Sequence, residues 1–153
     1  MSGNRIRSVR DIIAFAVKRE VEAAEGYGQM AAMAETPGLK SLLLELKGEE
    51  ENHKKILEDM PAAELRKAPV GRVDDLGLGD ALADEPLTPD ATLQELLIFA
   101  ARKEKRAEEL YAGLARVASL ASHRHTFEFL AGQERAHKLR IETEYEKRIL
   151  PEN

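Results

Sequence analysis

Apolar side chains recur every three or four residues through four segments of the chain, and none of these segments shows the alternation typical of a strand. This spacing is that of helices with one buried face, so the sequence predicts four helices and no sheet. A short turn is predicted at residues 119–125, before the fourth helix. The predicted helices cover about residues 7–35, 39–59, 91–118 and 126–149.

Residues 60–90 interrupt this pattern with four prolines and three glycines, and they are predicted to form a connection between the second and third helices. The first two helices are instead joined by the short turn Thr36-Pro37-Gly38. Two short turns and one long crossover predict two antiparallel helix hairpins in a single all-α domain spanning residues 1–153. A ferritin-like four-helix bundle has this arrangement.

The two predicted hairpins share a sequence repeat with an offset of 84 positions. Each half contains a glutamate, a tyrosine seven residues later, and a Glu-x-x-His pair that begins 30 residues after the first glutamate. Shared Ala- and Glu-rich composition explains some background identities, but not the match of all four polar residues at one offset. These residues are Glu20, Tyr27, Glu50 and His53 in the first half, and Glu104, Tyr111, Glu134 and His137 in the second.

The repeated glutamates and histidines interrupt the apolar faces of their helices. Glu50 and His53 are three residues apart and share one face, as do their equivalents in the fourth helix. A single glutamate in such a helix is usually solvated, but four buried carboxylates repel one another and require a positive partner. No lysine or arginine occupies a matching position, whereas two divalent cations would balance the four charges. The sequence therefore predicts a dinuclear metal site formed by Glu20, Glu50, His53, Glu104, Glu134 and His137.

Four further polar residues are interpreted less directly. Tyr27 and Tyr111 lie on the same helix faces as Glu20 and Glu104, which we call the outer glutamates, and we interpret both tyrosines as core packing residues. The alternative is that each phenol donates a hydrogen bond to a ligand carboxylate or acts in redox chemistry. His123 and His125 fall in the predicted turn before the fourth helix, so they are interpreted as surface residues, with a second metal site as the alternative.

Composition excludes several classes of function. The chain has 153 residues and a net charge of −5 with both signs interleaved, so no nucleic-acid partner is expected. The absence of cysteine excludes disulfides, thiolate metal sites and iron–sulfur clusters within these residues. Because no apolar stretch is long enough for a signal segment or a membrane span, we expect a cytoplasmic protein with no membrane partner.

Two segments resemble the rubrerythrin family of the ferritin-like superfamily. They are Ala-Arg-Lys-Glu-Lys-Arg-Ala-Glu-Glu-Leu-Tyr, which contains Glu104 and Tyr111, and Gly-Gln-Glu-Arg-Ala-His-Lys-Leu, which contains Glu134 and His137. The resemblance implies a four-helix bundle that holds two irons, often as a dimer, and reacts with peroxide or dioxygen. It also implies that Glu50 and Glu134 bridge the two irons.

Two departures from the family pattern change these expectations. Full-length rubrerythrins carry a rubredoxin-like domain with four cysteines, and this sequence has none, so an external electron donor is expected. They also carry an extra glutamate three residues after the first one on the third helix. Here that position is Ala107, which matches Ala23, so a more symmetric site, nearer to bacterioferritin-type ligation, is expected.

The sequence thus predicts a di-iron oxidoreductase that reacts with peroxide or dioxygen and forms a homodimer or a higher homo-oligomer. The alternatives are a ferroxidase that handles iron and a non-catalytic bundle stabilised by metal. Carboxylate and imidazole ligands also accept manganese and zinc, so iron is an expectation that rests on the resemblance.

Overall fold

The computed structural model describes residues 9–60 and 90–149, which form helices and short turns. No strand occurs in these two ranges, as predicted, and none of their helices has an apolar stretch long enough to cross a membrane. The predicted crossover lies outside the described residues except for its two ends. The helices are α1 (Val9–Met33), α2 (Pro37–Glu58), α3 (Leu93–Val117) and α4 (Ala121–Ile149).

Local capping residues determine where α2 and α3 begin. Thr36 has an extended backbone, and its side chain accepts a hydrogen bond from the Leu39 N–H at 3.3 Å. Pro37 occupies the first helical turn, where the missing N–H of proline costs no helical hydrogen bond. Thr92 and Glu95 form a reciprocal capping box at the start of α3. Both helices therefore begin directly after a threonine.

The prediction of a turn at residues 119–125 is wrong from Ala121 onward, because α4 begins there. Ala121 lies 84 positions after Pro37, the first residue of α2, so the repeat includes the helix start. The prediction of His123 as a surface residue is also wrong, since its side chain is only 6% exposed. It occupies the position equivalent to Leu39, which is buried in α2, whereas His125 is exposed.

Two apolar clusters form the core. Most residues of one cluster have their repeat equivalents, 84 positions away, in the other cluster. Each helix packs mainly against its neighbour in sequence, while contacts between α1 and α3 and between α2 and α4 join the two hairpins. Leu43 and Leu46 belong to one cluster, and their equivalents Phe127 and Leu130 belong to the other. Along each helix the repeated glutamates lie between residues of the two clusters. The polar residues therefore form a layer across the middle of the bundle.

Candidate metal centre

The structure brings the six predicted ligand residues together in this polar layer. Each hairpin contributes one glutamate from its first helix and a Glu-x-x-His pair from its second. Their residue exposures range from only 1% to 3%, so all six side chains are withdrawn from solvent. These six residues are a candidate metal site, and for brevity we refer to them as the metal centre: Glu20, Glu50, His53, Glu104, Glu134 and His137.

Two carboxylates occupy the middle of the metal centre. Glu50 Oε1 lies 3.1 Å from His53 Nδ1 and 3.3 Å from His137 Nδ1. Glu134 Oε1 lies 3.5 Å and 3.0 Å from the same two nitrogens. One ligand atom from each of these four residues falls within 4.8 Å of the others. Glu50 and Glu134 thus each lie close to both imidazoles.

Each of the remaining two glutamates lies near one of the two imidazoles. Glu20 Oε2 lies 3.7 Å from His53 Nδ1, and Glu104 Oε2 lies 3.1 Å from His137 Nδ1. The two imidazole rings stack with centroids 5.5 Å apart and an angle of 9° between their planes. The six residues therefore form two overlapping sets, which we call the Glu20–His53 position and the Glu104–His137 position. Both sets share the two central carboxylates.

Several buried atoms of the metal centre lack the partners that buried polar atoms normally have. Although Glu50 Oε1 and Glu134 Oε1 lie within 3.5 Å of His53 Nδ1, these three atoms and Glu20 Oε1 are not aligned for a hydrogen bond with any described residue. Each unsatisfied buried polar atom costs about 1–3 kcal/mol, and native proteins pair nearly all of them. Carboxylate oxygen and imidazole nitrogen are ligands of iron, manganese and zinc. The residues present therefore fit two divalent metal ions.

Burial opposes ionisation of three glutamates in the metal centre, namely Glu20, Glu104 and Glu134. Loss of solvation raises the pKa of Glu20, and it raises the pKa of Glu104 to about 7, with the charge of Glu50 acting in the same direction. Burial likewise raises the pKa of Glu134 well above its ordinary value. Burial therefore favours the protonated form of these carboxyl groups, whereas a nearby cation would favour the ionised form.

For Glu50, His53 and His137, the charges of neighbouring groups affect the pKa more strongly than burial does. Burial favours the neutral form of Glu50, but the two imidazoles outweigh it and lower its pKa to about 2. Burial also favours neutral imidazoles, yet the surrounding carboxylates raise the pKa of His53 to about 12 and that of His137 still further. Protons held in this way supply positive charge that two metal ions would supply instead.

Two tyrosines connect the hairpins through hydrogen bonds to the outer glutamates. The Tyr27 hydroxyl donates to Glu104 Oε2 at 2.5 Å, and the Tyr111 hydroxyl donates to Glu20 Oε2. Burial, together with the nearby glutamate charges, raises the pKa of both phenols well above 10, so they remain protonated donors. Each tyrosine also packs in an apolar cluster and thus combines both roles considered from the sequence.

We predict that Tyr111→Phe lowers the free energy of unfolding by about 1–3 kcal/mol, because Glu20 Oε2 would lose its donor while remaining buried. Urea unfolding of the metal-free protein at pH 7 measures this change. Tyr145→Phe is the matched control, since the Tyr145 hydroxyl accepts an exposed hydrogen bond from Gln94 at 3.2 Å. Equal costs for the two substitutions would show that the buried hydrogen bond contributes nothing.

A cavity of about 240 Å³ between α1 and α3 reaches the metal centre. Its wall includes Ala23 and Ala107, which are equivalent in the repeat, and the ring of Phe99. Glu20 and Glu104 line it as well. A water molecule takes up about 30 Å³ of liquid volume, so the cavity has room for a small molecule beside the carboxylates. Alanine at both positions keeps this space open.

Glu49 also belongs to the site, although the sequence analysis did not identify it. Its Oε1 lies 2.7 Å from His137 Nε2, and its Oε2 accepts a hydrogen bond from Arg140 Nη1 at 3.2 Å. Burial favours the neutral form, but His137 and Arg140 outweigh it and lower the pKa of Glu49. The residue is one of three consecutive glutamates and appears in sequence as part of a solvated run. Only the packing of α2 against α4 reveals its partner.

Comparison with known protein families identifies the family of this chain. A protein-family model described as Rubrerythrin matches residues 11–145, a range that contains the whole metal centre. No curated protein and no solved structure matches the chain. The match covers most of the sequence and agrees with the all-α, ferritin-like four-helix bundle. The chain therefore belongs to the rubrerythrin family, within the ferritin-like superfamily.

Proposed function

We propose that the metal centre holds two iron ions and that the protein is an oxidoreductase that reacts with peroxide or dioxygen. The observation that carries this proposal is the pair of overlapping ligand sets, each with its own glutamate and imidazole and both sharing Glu50 and Glu134. The unpartnered oxygen and nitrogen atoms at the same place supply the donors that two ions require. Family membership supports iron over manganese or zinc.

The side chains would divide the work of binding and positioning. Glu20 and His53 would hold one ion, Glu104 and His137 would hold the other, and the central carboxylates would bridge them. The hydroxyls of the two tyrosines fix the outer glutamates through one oxygen each, so the other oxygen is available to a metal. Burial of the whole set keeps bulk water away from the reacting atoms.

The cavity between α1 and α3 supports access by a small oxidant, because it leads directly to the outer glutamates. Reduction of hydrogen peroxide breaks its O–O bond and takes up two electrons and two protons to form two water molecules. Two ferrous ions held by the metal centre would supply those electrons and become ferric. The 153 residues include no cysteine, so we propose that the electrons come from a donor outside these residues. We further propose that the protein is cytoplasmic and forms a homodimer or a higher homo-oligomer.

Rapid mixing of the ferrous protein with hydrogen peroxide or with air-saturated buffer tests this function. We expect a near-ultraviolet absorbance increase from oxo-bridged ferric iron, faster than the oxidation of free Fe(II) at the same concentration. A rate equal to that of free Fe(II) would contradict the proposal. Oxidation of many irons per chain with dioxygen, followed by their release, would favour the ferroxidase role instead.

Two substitutions of alanine by leucine test whether the oxidant reaches the metal centre through the cavity. Ala107→Leu places a larger side chain in the cavity wall and should slow oxidation while two irons stay bound. Ala32→Leu adds the same atoms at an exposed position of α1 and serves as the control. Equal oxidation rates in both variants would show that the oxidant reaches the metal centre elsewhere.

A further inference from the structure

A carboxylate supports His137 at the ring nitrogen that faces away from the metal centre. The Nδ1 atom of His137 lies near the central carboxylates, while its Nε2 atom lies 2.7 Å from Glu49 Oε1. Arg140 Nη1 donates to the second oxygen of Glu49, whose side chain is 33% exposed. A polar chain therefore runs from the surface of α4, through α2, to this histidine.

The direction of the His137 to Glu49 hydrogen bond follows from metal binding at the other nitrogen. A neutral imidazole that binds a metal through Nδ1 carries its proton on Nε2. That proton is donated to the carboxylate of Glu49. A carboxylate in this position holds the tautomer and the ring orientation, and it makes the ligating nitrogen a stronger electron donor.

The repeat does not supply the same support to His53. The residues equivalent to Glu49 and Arg140 are Gln133 and Ile56, so an uncharged amide and an apolar side chain take their places. Within the described residues, this charged support is therefore specific to the half that contains His137. This difference departs from the symmetric site expected from Ala23 and Ala107.

We propose that Glu49 is a positioning residue that makes the two metal positions unequal, so that the Glu104–His137 position binds its ion more tightly and fills first. The inference rests on the proposed two-metal centre, but not on the reaction performed there. Removing a carboxylate that supports a ligating histidine typically weakens metal binding by about 10- to 100-fold. A difference of that size separates two binding steps in a titration.

Titration of the metal-free protein with Co²⁺, followed by visible absorption and calorimetry, measures these steps without any turnover. The wild-type chain should bind two ions in two resolved steps. Glu49→Gln gives the His137 side the neutral amide found on the other side, and it should weaken the first step by about 10- to 100-fold. The two steps should then merge.

Two kinds of control separate positioning from a general structural effect. Glu45→Gln removes a carboxylate that also pairs with Arg140, at 2.9 Å from its Nη2, and it should leave both steps unchanged. The second control combines Glu49→Gln with loss of one outer glutamate. With Glu20→Ala, which leaves the Glu104–His137 position, the effect should persist, whereas with Glu104→Ala it should disappear.

The outcomes distinguish this inference from the proposed function. Unchanged Co²⁺ affinities in Glu49→Gln would overturn the inference, and so would equal weakening of both steps. Either result would leave the two-metal centre intact. If Glu49→Gln merges the steps but the ferrous protein oxidises no faster than free Fe(II), the inference stands and the proposed reaction fails.

Discussion

Replacing Glu134 by alanine is expected to reduce the metal content of the protein from two ions per chain to one or none. The Glu134 carboxylate lies within 3.5 Å of His53 Nδ1 and 3.0 Å of His137 Nδ1, so its loss affects both metal positions. It also removes one of the four negative charges that balance two divalent ions. Elemental analysis after loading with Fe²⁺ and desalting measures the loss.

The protein should still fold without this carboxylate. Glu134 Oε1 makes no well-aligned hydrogen bond among the described residues, and burial raises the pKa of the group. The ionised carboxylate therefore destabilises the folded protein when metal is absent. Circular dichroism should therefore show a helical protein. Glu134→Gln gives the same test without opening a cavity, because an amide cannot supply the anionic bridge.

Glu128→Ala serves as the matched control for metal loss, because it removes an exposed glutamate from the same helix and should leave two ions bound. Glu50→Ala, the repeat-equivalent substitution, should resemble Glu134→Ala. Two ions bound with unchanged affinity by Glu134→Ala would show that the ligand assignment is wrong. Loss of metal in Glu128→Ala as well would show that any change in α4 disrupts the site.

Removing the metal is expected to reverse how stability depends on pH. In the metal-free protein, the pKa of Glu104 is about 7, raised from 4.5 mainly by burial. A raised pKa stabilises the folded state fully below the unfolded value of 4.5, and this stabilisation is lost as pH rises through 7. The shift corresponds to about 3 kcal/mol. Metal-free protein should therefore become less stable between about pH 5 and pH 8.

Other groups set the limits of this trend. The raised pKa of His53, about 12, adds stabilisation that is full below 6.5 and is lost as pH rises toward 12, which is the same direction. Glu50 acts oppositely: with its pKa lowered to about 2, its contribution is present above 4.5 and is lost as pH falls through 2. The stability of the metal-free protein should therefore be greatest near pH 4 to 5.

Bound metal should produce the opposite slope, because ligands bind only after losing their protons. A free metal concentration of 1,000 times the dissociation constant adds about 4 kcal/mol to the free energy of unfolding. The affinity for metal increases with pH, so this stabilisation does as well. Urea unfolding from pH 5 to pH 8, with EDTA or with excess Zn²⁺ as a redox-inert probe, measures both slopes. Glu104→Gln should flatten the metal-free curve. Metal-free stability that increases from pH 5 to pH 8 would contradict this electrostatic account.

The sequence predicted the bundle well because hydrophobic spacing and the repeat both report on which faces are buried. The error lay at the start of α4, where the run Ser-His-Arg-His-Thr resembles a turn by composition. The repeat contained the correct answer, since α2 and α4 begin 84 positions apart, as do α1 and α3. His123 is buried because its position, rather than its polarity, determines what surrounds it.

The sequence identified the six residues that the structure brings together, but it did not identify their hydrogen bonds. A glutamate within an apolar stripe identifies a candidate ligand, and helix geometry places its side chain inward. Which phenol reaches which carboxylate depends on how α1 packs against α3, and no local pattern contains that information. For the same reason Glu49 appeared to be an ordinary surface glutamate until α4 placed His137 and Arg140 beside it.

Because most residues of one apolar cluster have their repeat equivalents in the other, the two hairpins use equivalent positions for equivalent purposes. If two identical hairpins formed such a bundle as separate subunits, every substitution would appear twice, and the two ions would have identical surroundings. Joining both hairpins in one chain removes that constraint, so residue 49 is a glutamate while residue 133 is a glutamine. A fused pair of hairpins can therefore differ in the surroundings of its two candidate metal positions, which identical subunits cannot do.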